Sequence, residues 1–428
     1  MQVDVSSQLE RRRQNVAERW TLGDHAVVIG AGEPVPIPGR GDRTYPFRAH
    51  SEYFYLTDRD RPGGVLAYDC DEGWIDFVRP VSREELLWEG APADGQPGVP
   101  LDELEGWLDR RKARPVANLG APVHAVFEQP RPDLTAELQR GLNHVRRQKD
   151  PIELERMRAA ERATAAGFAA IVPLLQAGRT ERDIQIELEA EFFRRGADFL
   201  AFDTIVASGT NSGVLHFPPT GKPLDDGELV LIDAGGEVRG YASDVTRTYP
   251  VSGSFTPEQA ALHGLVEKAN DAATRRCAPG TEFRELHRTA ALLIAEGLVD
   301  FGLLRGDPEK LVQSGAVTLF FPHGVGHMLG LGVRDAGEVL PGREPEPGLP
   351  RLRADLPLQA GHVVTIEPGL YFVPALLADP ETRTSLRDQV NWERADALTG
   401  FGGIRIENNV LVTDDGHEVL TSDIPILG

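Results

Sequence analysis

Along the first third of the chain, short apolar runs alternate with helix-like stretches. His25-Ala26-Val27-Val28-Ile29 and Gly64-Val65-Leu66-Ala67-Tyr68 read as strands and Leu101 to Arg111 as a helix, an α/β pattern. The first twenty positions predict a polar amphipathic helix. At Asp150-Pro151-Ile152-Glu153 the pattern changes. Asp suits an N-cap, Pro suits the first helical position, and Glu falls three residues after the cap. A new helix and a new domain are expected to begin there, dividing the chain into 1–147 and 148–428.

Beyond this point the order of elements repeats without a literal sequence repeat. Helices from Asp150 to about Gln176 and from Thr180 to about Arg195 precede strand-like runs that reach Pro250. Thr256-Pro257-Glu258-Gln259 then caps a third helix ending near Pro279-Gly280, Thr281 opens a fourth, and more strands complete the chain. The pattern predicts two similar halves around one sheet, with helices on one side and the other face open for a site. The class is α+β, with a smaller α/β domain in front.

Composition narrows the function. At 428 residues and 41% apolar, the chain has material for two or three cores. Its net charge of −21 repels phosphate backbones and anionic membrane surfaces, so neither nucleic acid nor membrane is an expected partner. The two cysteines, Cys70 and Cys277, lie far apart in no metal-binding spacing, which argues against a disulfide framework and fits a cytoplasmic protein. No run of 18 apolar residues and no signal-peptide core occurs, so a soluble chain is expected.

The chemistry lies at strand ends. Glu228 to Gly235 is a buried-strand pattern that stops on Asp233, and Tyr241 to Tyr249 carries Asp244 eleven positions later. A hairpin centred on Val238-Arg239 would set the two carboxylates directly opposite each other on one face. Their repulsion is relieved by a hard divalent cation, although strand-end or turn roles for each Asp compete with this reading. Further on, Gly403-Ile404-Arg405-Ile406-Glu407 alternates, placing Arg405 and Glu407 on one face. Val363 to Gly369 ends on Glu367, which shares a face with Thr365. Between these segments lies His323-Gly324-Val325-Gly326-His327, too rich in glycine for a helix and unlike the HExxH zinc motif.

Together, the phrases IDAGG, GYASDVTRTYPVSG, HGVGHMLGLG, TIEPGLY and GIRIENN resemble the proline-specific metallopeptidases of the pita-bread fold, aminopeptidase P and prolidase. The likeness spans 150–428. It extends more weakly to the first domain through Tyr45-Pro46-Phe47-Arg48 and Ser51 to Thr57. The resemblance implies a C-terminal pita-bread (creatinase/aminopeptidase) domain that holds two divalent metal ions through Asp233, Asp244, His327, Glu367 and Glu407. Manganese is usual in relatives; zinc, cobalt and iron remain open.

The implied reaction is hydrolysis of the bond after an N-terminal residue when proline follows, with short proline-containing peptides as substrates and Glu367 as proton shuttle. A proline nitrogen has no hydrogen to donate, so a dedicated pocket is needed. His216 and His323 are candidates to line it, and His216 matches the family's catalytic His motif. Tyr371 and Arg405 are further candidates beside the substrate, with packing and a structural ion pair as their competing readings. Arg334 departs from the family, which commonly has a His there. A bidentate Arg suits a free carboxylate, which keeps a dipeptide-restricted prolidase as the alternative. A metal-free binding module of the same fold is a more remote one. The long polar segment from Val373 to Thr399 is expected to be a surface excursion. Relatives also imply a homo-oligomer, dimer or tetramer.

Overall fold

A computed structural model of the chain describes residues 4–88, 90, 98–123 and 131–426. It separates into two compact units, Met1–Arg146 and Arg147–Gly428.

In the first unit, the expected strands are Ala26–Gly30 and Val65–Asp69, paired antiparallel, and Ala26–Gly30 also runs parallel to Val116–Gly120. Gly73–Val78 and Val99–Pro100 complete a five-stranded mixed sheet. The amphipathic opening helix is Val5–Trp20, whose Trp20 ring is buried and donates from Nε1 to the Leu138 carbonyl at 2.7 Å.

The second unit opens on Pro151–Ile171. Asp150 and Glu153 form a reciprocal capping box there, as the spacing predicts. Thr180 caps Glu181–Arg194 and Thr256 caps Pro257–Arg275 in the same way. The fourth helix, Phe283–Asp300, departs from expectation. Its N-cap position is Glu282, which makes no side-chain capping bond, while the Thr281 carbonyl is engaged by the Leu358 N–H.

The strands form several short ladders instead of one continuous sheet. Ile205–Ser208, Leu229–Ala234 and Val245–Pro250 make one, and Val363–Ile366, Asn408–Val412 and His417–Val419 another. Gly369–Tyr371 pairs with Gly403–Arg405. The halves meet where the Glu407 N–H donates to the Thr246 carbonyl at 3.0 Å. Period-2 alternation sorts the faces. Val230, Ile232 and Ala234 pack under the first two helices, and Ile404 and Ile406 under the second pair, which leaves Asp233, Arg405 and Glu407 on the open side.

The segment expected to be a surface excursion is only partly so. It folds into the short helices Pro374–Leu377, Pro380–Ser385 and Trp392–Ala397, and Leu377, Leu386, Val390, Ala395 and Leu398 bury into the main core. Its charges stay outside while its apolar positions fill space, which polarity alone did not reveal.

Candidate metal centre

The hairpin that carries the two aspartates turns at Arg239-Gly240, one position later than expected. Both tip residues have positive φ, +51° and +80°, the requirement of a tight two-residue hairpin turn. Asp233 therefore pairs with Thr246, not with Asp244. The register differs from expectation by two residues, so parity is kept and both carboxylates stay on one face, now diagonal to each other. At the crossing the chain has no room for side chains. A Cβ on Gly235 would collide with the Ser243 carbonyl, and one on Gly326 with the Thr365 carbonyl.

Asp244, His327 and Glu407 converge so that one ligand atom from each lies within 4.8 Å of the others, and all three are buried. His327 Nε2 stands 3.4 Å from Asp244 and 3.7 Å from Glu367. The other ring nitrogen, Nδ1, is 3.1 Å from the Met328 carbonyl. A carbonyl only accepts, so Nδ1 carries the proton and Nε2 turns a bare lone pair towards the carboxylates, the tautomer a metal ligand needs. Burial holds the His327 pKa down and keeps the ring neutral, against the pull of Glu367. Thr365 Oγ1 accepts the His327 backbone N–H at 3.1 Å and fixes its place.

Asp233 sits at the edge of this cluster. Arg405 donates from Nη2 to its Oδ2 at 2.6 Å, and Oδ1 is buried with no hydrogen-bond partner among the described residues. Glu367 and His323 keep 18% and 20% of their side chains exposed, so the cluster opens on their side. The crowd of carboxylates is unfavourable as it stands. Burial, then Asp233 and Glu367, push the Asp244 pKa well above the carboxylate range; burial, then Asp244 and Glu367, do the same to Glu407. Hard carboxylate oxygens, a neutral imidazole nitrogen and an orphaned carboxylate oxygen make a donor set that suits divalent cations.

A second network runs alongside. Arg405 has only donors. Its Nη1 reaches Tyr371 Oη at 2.8 Å, so Tyr371 accepts there and spends its single proton on His323 Nε2 at 2.9 Å. His323 Nδ1 in turn donates to the Gly324 carbonyl at 2.9 Å. The imidazole is therefore neutral and accepting at Nε2. Its pKa is pushed down to about 3 by burial and by the Arg405 charge. Arg405 Nε also donates to Thr246 Oγ1 at 3.0 Å, and that hydroxyl donates to Glu407 Oε2 at 2.7 Å. Sequence reading missed Thr246, although it follows Asp244 by two positions and shares its face.

The remaining candidates lie at the rim. His216 is exposed after the turn Gly209–Gly213, with its pKa lowered by burial and then by Arg405. Arg334 is also exposed and forms no ion pair among the described residues, yet its charge acts on His216, His327 and Glu367. Arg353, which the sequence did not single out, acts on His216 and His327 in the same way. The loop next to Arg334 is pinned by the fully buried pair Lys149–Asp335 at 2.8 Å.

The profile of metallopeptidase family M24 matches residues 155–414, and that of the aminopeptidase P N-terminal domain matches 9–98. A probable Xaa-Pro aminopeptidase of Sclerotinia sclerotiorum is 32% identical over 400 residues, covering 90% of this chain and 72% of its own. One from Botryotinia fuckeliana is 32% identical over 401 residues, covering 89% and 86%. Among solved structures, Pseudomonas aeruginosa aminopeptidase PepP superposes with a TM-score of 0.80 at 31% identity, covering 100% of this chain and 97% of that one. Escherichia coli aminopeptidase P with the inhibitor Pro-Leu gives 0.81 at 27%, with the same coverage. The chain is a metallopeptidase with the pita-bread fold and belongs to family M24.

Proposed function

We propose that this protein is an Xaa-Pro aminopeptidase, releasing the N-terminal residue of short peptides when proline follows. The observation that carries the reading is the buried convergence of Asp244, His327 and Glu407, with the His327 lone pair directed at the carboxylates. The residues to hold two divalent ions are Asp233, Asp244, His327, Glu367 and Glu407. When bound, the ions supply Lewis acidity and activate water. We take manganese as the first choice; a zinc-substituted Escherichia coli aminopeptidase P in complex with product shows that zinc enters that protein.

The chain's own groups do the rest. Glu367, partly exposed and with its pKa raised by burial, is placed to carry a proton towards the leaving proline nitrogen. His323 Nε2 accepts and does not donate, so we assign His323 to shaping the proline pocket and Tyr371 to holding its ring. His216 faces the substrate from the rim. The protein is expected to act in the cytoplasm and to form a homo-oligomer; light scattering of the purified protein checks the oligomeric state.

Arg334 supports a second reading. An exposed guanidinium near the site, without an ion pair among the described residues, suits the free carboxylate of an Xaa-Pro dipeptide. The deciding experiment compares Xaa-Pro dipeptides with Xaa-Pro tripeptides and longer peptides in defined Mn²⁺. Turnover of the longer peptides supports the aminopeptidase. Strict dipeptide preference, lost on Arg334→Ala, rejects it in favour of the dipeptidase.

A further inference from the structure

Glu181 has no part in the metal cluster, yet it is a carboxylate buried to 0% exposure at the first position of the helix Glu181–Arg194. A buried charge is costly unless its oxygens are saturated with donors. Here they are. Oε1 accepts from the Ser208 N–H at 2.9 Å, Ser208 Oγ at 3.0 Å and Asn211 Nδ2 at 2.9 Å. Oε2 accepts from the Thr220 N–H at 3.1 Å and Thr220 Oγ1 at 2.6 Å. These bonds outweigh burial, and the Glu181 pKa lies below its ordinary value.

The pattern matters because of what lies between. One oxygen ties the start of segment 208–220 and the other ties its end, and His216 sits inside the span. No hydrogen bond fixes the His216 ring among the described residues, so its place is set by how the segment is held. Neighbours reinforce both ends. The Arg182 N–H donates to the Thr220 carbonyl at 2.9 Å, its Nη2 to the Pro219 carbonyl at 2.6 Å, and Lys222 Nζ to Ser208 Oγ at 2.8 Å. On the far side, Ser212 Oγ accepts the Gly403 N–H at 2.9 Å, which fastens the segment to the strand that carries Arg405.

We propose that Glu181 is the positioning residue for His216, so that a carboxylate remote from the metals governs how the substrate is aligned. A carboxylate suits the task because every partner is a donor. Glutamine would turn an NH₂ group against the donors of Ser208 and Asn211 or of Thr220. The inference rests on the reading of His216 as substrate-facing, and the test separates the two.

The experiment is a double-mutant cycle on the metal-loaded protein with an Xaa-Pro tripeptide, using Glu181→Gln, His216→Ala and the pair. Glu181→Gln should lower kcat/KM about 10- to 100-fold, the scale of a misaligned active site, with metal content unchanged. In the His216→Ala background the same change should cost less than about threefold. Thr220→Val and Ser208→Ala, which each remove one hydroxyl, should give smaller losses in the same direction and keep the proposal testable if Glu181→Gln fails to fold. Full additivity, or loss of metal in the Glu181 variant, overturns the positioning role. An undiminished His216→Ala enzyme instead overturns the reading of His216.

Discussion

Arg405 and Asp233 form a buried, charge-assisted contact, Nη2 to Oδ2 at 2.6 Å, which joins the candidate metal cluster to the Tyr371–His323 network. The same guanidinium reaches Thr246 and, through it, Glu407. Burial works against its charge, but Tyr371, Asp233, Glu407 and Glu367 together hold its pKa well above the usual value. A lysine carries the charge without the planar fork and cannot satisfy these partners together. Arg405→Lys is expected to lower kcat by roughly 30- to 100-fold, about 2–3 kcal/mol, in steady-state assays at saturating metal. A loss under threefold would show that the charge suffices without the geometry.

His327→Ala removes the nitrogen that Asp244 and Glu367 surround. We expect metal affinity to fall more than about 100-fold, measured by elemental analysis after dialysis against graded chelator, with activity falling in step. Chelation of the parent protein should likewise abolish peptidase activity, and Mn²⁺ should restore it. Undiminished metal content in His327→Ala would place the ions elsewhere.

Glu161 predicts how stability depends on pH. It is buried beneath the site, accepting from Ser243 Oγ at 2.7 Å and Asn409 Nδ2 at 2.6 Å. Burial raises its pKa from 4.5 to about 7, against those two bonds and the Arg247 charge. A carboxyl whose folded pKa exceeds its unfolded one contributes most below pH ~4.5 and loses that contribution as pH rises through ~7, up to about 3 kcal/mol. Glu161→Gln mimics the protonated form. Its thermal midpoint, relative to the parent with metal present, should rise between pH 5 and pH 8. Parallel pH curves for the two proteins would refute this.

Two helical glycines should respond oppositely to alanine. Gly264, within Pro257–Arg275, has nothing within 4 Å of where a Cβ would stand, so Gly264→Ala should stabilise by about 0.5–1 kcal/mol. At Gly167 the Cβ would run into the Phe192 ring, itself fully buried. Gly167→Ala should destabilise by about 1–3 kcal/mol despite the helical gain. Denaturant titration of both variants checks the contrast.

Much of the fold around the candidate site was legible because its residues obey local rules. Capping boxes at Asp150, Thr180 and Thr256 are written in four consecutive residues and form where the spacing places them. The alternation around Arg405 and Glu407 follows from strand geometry alone, as does the shared face of Thr365 and Glu367, whose side chains come within 3.5 Å. The motif phrases led to the family because they bring several rare residue types into fixed spacing.

What stayed hidden depends on distant partners. The hairpin register is the exception: Gly240 accepts a left-handed tip freely and β-branched Val238 does not, so local turn chemistry already favoured Arg239-Gly240. Thr246 and Glu181 are ordinary residues in sequence, distinguished only by the strand and loop folded against them. The helices between Val373 and Thr399 read as polar surface because their buried leucines are spaced too irregularly to form a stripe. A chain records in its own order the preferences of neighbours along it. Contacts between residues far apart in the chain, such as Arg405 with Asp233 at a separation of 172 positions, exist only once the core has closed and desolvation has made each unpaired charge costly.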